Sequence, residues 1–294
     1  MVSGLPIALS MVVAWTAVGE AVPLSHHDDY IHAYEAADAA NRMLLIACVP
    51  DTHGPLARRW KKWVRSPKVR SALQGRYELA LLSTTAPVPG GAEEWENESV
   101  PLLEHPGFAH LHGEPGIIII DLTKRNPKTY DKVVFLYPFR GRYHLTRKLL
   151  LEALDLPTGT LTQRMLTFAV RVHEDDPVSA DSRTLPLLAD AAESHSQYQA
   201  DIRRQGHHHW ERRFQELLSE LPGDALPYEV CAESWPGETL IEAAHECVHS
   251  WRQSSGHWSR VAARTHYFAY DMKRGDNGIW YGTGILAIGR EEDF

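Results

Sequence analysis

Apolar runs and periodic segments alternate along the first half of this chain. Asp28 to Arg42 (DDYIHAYEAADAANR) puts an alanine-rich interior behind an aspartate suited to cap it, which predicts a helix. Met43 to Val49 (MLLIACV) is a continuous apolar run of strand length, as expected for a strand covered on both faces. A helical stretch is expected from Pro55 to Gln74, then a second strand at Tyr77 to Ser83. Residues 84 to 113 read as irregular, with Pro87, Pro89, Gly90 and Gly91 marking a loop. Gly116 to Leu122 (GIIIIDL) and Lys132 to Tyr137 (KVVFLY) predict two more buried strands, and Arg142 to Leu154 a helix.

The pattern changes at Asp155-Leu156-Pro157-Thr158-Gly159, where a boundary is expected. Thr160 and Gln163 have capping-box spacing at the head of the apolar helix LTQRMLTFAVRV. A second helix is expected over Leu185 to Arg204, stopped at Gly206, and a third in ERRFQELLSEL after His207-His208-His209-Trp210. The short strand YEVCAESW leads through Pro236-Gly237 into a helix with Ala243, Ala244 and Val248 on its apolar face, ending at Trp251. A tight turn at Ser254-Ser255-Gly256-His257 is expected next. Paired strands at Tyr267 to Met272 and Gly278 to Ile288 follow, joined through Lys273 to Asn277. The fold class read from this order is α/β in two domains, each expected to have its own core.

Composition narrows the choices. With 30 basic against 38 acidic residues the formal charge is −8, which disfavours polyanions, and no basic stripe interleaved with aromatics is present; nucleic acid is not an expected partner. The basic run from Arg58 to Arg70 reads as a solvated helix face. Leu5 to Val18 is an apolar run of signal-peptide length followed by small residues, so residues 1–24 are expected to direct export. No other segment approaches the length of a membrane span. Cys48, Cys231 and Cys247 are too few for a disulfide framework and are expected as small buried side chains.

Over residues 28 to 154 the order of helices and strands resembles the thioredoxin fold, with Pro115 placed before a core strand as in that family. The first strand is followed by Cys48-Val49-Pro50-Asp51-Thr52-His53 and no second cysteine. Thiol–disulfide exchange needs an attacking thiolate and a resolving partner, so the family's redox activity is not expected to carry over. The expected first domain is therefore residues 25–157, thioredoxin-like and lacking redox cysteines.

Over about residues 160 to 289 the chain resembles the CAP superfamily, the cysteine-rich secretory, antigen 5 and pathogenesis-related proteins, also called SCP domains, which makes residues 158–294 the expected second domain. Arg171 matches the arginine of the family's first helix. Ala191-Ala192-Glu193-Ser194-His195-Ser196 matches its second, and Trp251-Arg252-Gln253-Ser254-Ser255-Gly256-His257 its most specific motif. Ala232-Glu233-Ser234 stands where the family has Gly-Glu-Asn, and the first-helix His of eukaryotic members is missing. The resemblance implies an α-β-α sandwich with one cleft lined by His207, His208 or His209, by Glu233 and by His257. Imidazole and carboxylate are ligands for zinc-like ions, so a divalent metal such as zinc is the expected cofactor of that cleft. A groove lined by Trp235, Trp251, Trp258 and Trp280 is a second candidate surface.

A rival motif lies nearby. His245-Glu246-Cys247-Val248-His249 spells H-E-x-x-H, in which two histidines one helical turn apart hold zinc and the glutamate activates water. Its spacing to His257 does not fit the longer zinc-protease signature. On the CAP alignment, His245 and His249 are expected on a solvated flank. The expectation is thus an exported, secreted or periplasmic binding protein without catalysis, whose partner is a small molecule, a lipid or an extracellular polymer. A zinc-dependent hydrolase is the alternative.

Overall fold

The structure is a computed structural model that describes residues 26–90 and 99–289. The expected export segment, residues 1–24, lies outside them. The fold is mixed α/β. Among the described residues no helix is long and apolar enough to cross a membrane.

The first half holds strands β1 (His26–His27), β2 (Met43–Val49), β3 (Tyr77–Ser83), β6 (Gly116–Asp121) and β7 (Lys132–Pro138) in the sheet order β1-β3-β2-β6-β7. β1, β3 and β2 run parallel, β6 is antiparallel to β2, and β7 is antiparallel to β6. The parallel β2–β3 pair needs a crossover, which two helices provide. Helix α1 (Tyr30–Ala40) is capped by Asp29, whose side chain accepts from the His32 N–H, and ends at Asn41 in the left-handed region.

The single helix expected over residues 55–74 is two, α2 (Pro55–Val64) and α3 (Pro67–Leu73). Pro67 disfavours helical geometry in the residue before it, and Ser66 is extended. The stretch read as irregular contains a short antiparallel pair, β4 (Pro87–Pro89) with β5 (Ser99–Pro101). Helix α4 (Arg147–Asp155) starts five residues later than the hydrophobic pattern predicts, because Thr146 supplies the cap by accepting from the Leu149 N–H.

In the second half α5 (Leu161–Arg171) opens with the Thr160–Gln163 capping box that the spacing predicts. Strands β8 (Arg183–Thr184), β9 (Leu226–Glu233), β10 (Tyr267–Arg274) and β11 (Trp280–Ile288) form a sheet ordered β8-β10-β11-β9. Helices α6 (Pro186–Ile202), α7 (Trp210–Glu220), α8 (Leu240–Gln253) and α9 (Ser255–Val261) surround it. Where a tight turn was expected at Ser254 to His257, α9 begins instead: Ser254 adopts an extended conformation between α8 and α9 and its carbonyl accepts from the Trp258 N–H. Alternation along β9 and β11 sends Val230, Ala232 and Leu286 to the core shared with α5 and α8. Glu229 and Cys231 of β9, and Ile285 and Ala287 of β11, take the opposite face, which α6 and α7 cover.

Two separate cores were expected, whereas the larger apolar cluster runs through both halves. Phe168 of α5 is fully buried, with its ring edge-on to Phe135 and Tyr137 of β7 at 5.1 Å from each. Arg164, one turn earlier, donates to the carbonyls of Ala153, Leu156 and Pro157 and so ties the end of α4 to α5. Replacing Phe168 by alanine empties the centre of this seam. It should destabilise the chain by about 3–5 kcal/mol in urea unfolding, with one transition lost rather than two separated ones; a change below about 1 kcal/mol would show that the seam carries little of the stability.

Candidate functional site

The centre of the second half is a buried carboxylate. Glu229 lies in the middle of β9, its side chain sealed from solvent. Three elements bring partners to it. Arg213 of α7 donates from Nε to Oε2 at 2.9 Å and again from Nη2. His207, in the turn before α7, meets Oε1 through Nδ1 at 2.9 Å, and Nε2 of His195 on α6 stands 3.6 Å from the same oxygen. Burial alone would raise the Glu229 pKa, but the His207 bond, the nearby His195 ring and the Arg213 charge outweigh it and hold the group below the ordinary glutamate value. Because a carboxylate only accepts, His207 carries its proton on Nδ1 and leaves the Nε2 lone pair facing out.

That nitrogen is where the second histidine arrives. Nε2 of His257, in the first turn of α9, lies 3.2 Å from Nε2 of His207. The His207 side chain is 43% exposed, so the pair is reachable from solvent. His207 also lines an open cleft of about 580 Å³ with His209, Trp210, Glu211 and Arg212. Burial, then the neighbouring His207, lowers the His257 pKa and favours the neutral, lone-pair-bearing ring.

Two donor sets are therefore nested. The inner one, His195, Glu229 and Cys231, has ligand atoms within 4.8 Å of one another and could hold a metal ion. Each of its members is engaged: His195 Nε2 donates to the Gly206 carbonyl at 2.9 Å, and Arg213 occupies Glu229. The Cys231 thiol is pushed well up by burial, then by the Glu229 charge. In the outer set the two Nε2 atoms meet only each other, His257 donating to the Nε2 lone pair of His207, so a metal between them has one proton to displace. Two nitrogens each about 2.05 Å from a tetrahedral zinc stand about 3.3 Å apart, close to the separation seen here. A metal-bound histidine also commonly donates its other N–H to a carboxylate, as His207 does to Glu229.

Of the residues singled out in the sequence, His207 and His257 come together. His209 instead caps α7 from the left-handed region and bonds the Tyr198 hydroxyl through Nε2 at 3.2 Å. His208 turns back against Gly206, its Nε2 buried. Glu233 does not join them: it is exposed at the far end of β9, four residues or about 13 Å along the strand from Glu229. The carboxylate at the histidines is Glu229, which shares its face with Glu233 because the two are an even number of residues apart. Arg213 and His195 complete the group, and a glutamate inside an otherwise apolar strand was the sequence signal for it.

Of the two H-E-x-x-H histidines expected on a solvated flank, His249 lies there and His245 does not. His245 stacks on Tyr143 at 4.1 Å and meets the Tyr137 hydroxyl at 3.2 Å, both from the first half. His249 is exposed and bonds Gln253. Nor do the four tryptophans share a groove. Trp235 is 67% exposed, Trp251 is buried against Tyr270, Trp258 sits on His173 and Trp280 on His110. The three cysteines are free and buried, and burial pushes the Cys48 thiol up to about 12.

Burial lowers the pKa of His26, His195 and His245 each to about 4, so all three are neutral in the folded chain. The unfolded chain takes up their protons near pH 6.5, which means their stabilisation is complete above that value and is lost as pH falls toward about 4. The thermal midpoint should drop steadily from about pH 7 to about pH 4.5, and a flat profile would contradict this arrangement. Compared with known families and curated proteins, the chain matches no family model and no curated sequence.

Proposed function

We propose that this chain is an extracytoplasmic binding protein whose cleft holds a divalent cation, zinc by the character of its donors, or a small polar ligand through His207 and His257. On this reading residues 158–294 form a CAP/SCP-like domain and residues 25–157 a thioredoxin-like one without redox cysteines. The observation that carries the proposal is the outward pair of Nε2 atoms 3.2 Å apart, with the other nitrogen of His207 fixed on buried Glu229. Helices on both faces of the four-stranded sheet support the first resemblance, and the order β1-β3-β2-β6-β7 supports the second. His207 and His257 bind; Glu229 sets the tautomer and orientation of His207; Arg213 keeps Glu229 ionised and prevents it from turning toward the cleft. Two protein ligands leave positions open for water or for donor atoms of a bound molecule.

Isothermal titration of tag-free protein with zinc tests this. One equivalent should bind, with affinity reduced at least tenfold in His257→Ala and His207→Ala and about 10–100-fold in Glu229→Gln. Full binding in both histidine variants would refute the cleft. Loss of binding in Glu246→Ala and His249→Ala instead would move the site to the H-E-x-x-H helix and favour the hydrolase.

A further inference from the structure

A second cavity, of about 480 Å³, lies at the seam between the halves, far enough from water on its inner wall to bury polar atoms there. Lys128, Gln163, Arg164 and Asp190 line its polar side, and Leu185 and Ala189 its apolar side. Its volume is that of a small-molecule pocket.

Unpartnered donors belong to its inner wall, whereas its mouth carries both charges, Lys128 and Asp190. Arg164 is buried to 1% exposure, and its charge is answered by three backbone carbonyls, by the Tyr77 hydroxyl and at longer range by Asp121, whose own oxygens are taken by Thr123 and Thr129. Arg164 Nε finds no acceptor. Gln163 spends its Oε1 on the Thr160 N–H, and its Nε2 finds no acceptor either. Lys128 adds an ammonium at the mouth, held there by Asp190 and Glu193. Among the described lining residues, the buried side-chain atoms left without partners are both N–H donors. Buried donors without acceptors are costly and are the usual mark of a missing partner.

We propose that this seam cavity binds a small organic carboxylate, its oxygens accepting from Arg164 and Gln163 and its compact apolar body resting on Leu185 and Ala189. The site is separate from the histidine pair and does not depend on the reading given to it.

The test is isothermal titration of the full chain with octanoate and benzoate, using octylamine as the cationic match. At least one carboxylate should bind, and octylamine should bind at least tenfold more weakly than octanoate. Arg164 itself is a poor probe because it also holds the end of α4. Ala189→Trp, which fills the cavity, and Gln163→Leu, which removes a donor, should each weaken carboxylate binding at least tenfold. Both should retain the circular dichroism spectrum of the parent. His257→Ala should leave carboxylate binding unchanged. No heat with either carboxylate up to millimolar concentration would overturn the proposal. So would equal binding of octylamine, or undiminished binding in both folded cavity variants.

Discussion

Burying a carboxylate inside a sheet is unfavourable by several kcal/mol unless its charge is met, and Glu229 is the point from which the second half is organised. Its partners come from three different places in the chain: His195 from α6, His207 from the following turn, and Arg213 from α7. Meeting that charge fixes how α6 and α7 lie on β9. It also orients His207 so that one nitrogen faces inward and the other faces the cleft. The reactive geometry outside is thus set by electrostatic compensation inside. Such an arrangement separates two jobs: Arg213 keeps the charge settled, while His207 transmits a defined tautomer to the surface.

Much of the fold was legible in the amino-acid order. The apolar runs at residues 43–49 and 116–121 could hardly be anything but covered strands, and the Thr160–Gln163 spacing marked the head of α5. The misreadings have local causes. Ser66-Pro67 breaks a helix whose amphipathic pattern continues across it, and Ser254 permits α9 to start where glycine and serine suggest a turn. β1 and β8 are two residues each, too short for any periodicity to show.

The site was legible only in part. His207 and His257 stood out, but choosing Glu233 over Glu229 required knowing which part of β9 faces α7, and that depends on register with β11 rather than on β9 itself. His195 and Arg213 sit at helical positions whose neighbours look ordinary, and their role appears only when the helices dock. The H-E-x-x-H spelling illustrates the reverse case. A motif places two side chains on one helix flank, yet what lies opposite is decided by a distant segment, here Tyr137 and Tyr143.

The position of Phe168 between two rings of β7 bears on how this molecule can move. A hinge requires a region where few contacts cross, and at this junction an aromatic side chain is inserted like a peg into the neighbouring sheet. Swinging one half away from the other would draw that ring into water along with the surface it covers. The polypeptide is better regarded as a single stiff frame that carries the histidine cleft and the seam cavity. Any molecule entering either would have to rely on side-chain rotation and on the turns at the rim, leaving the frame itself in place.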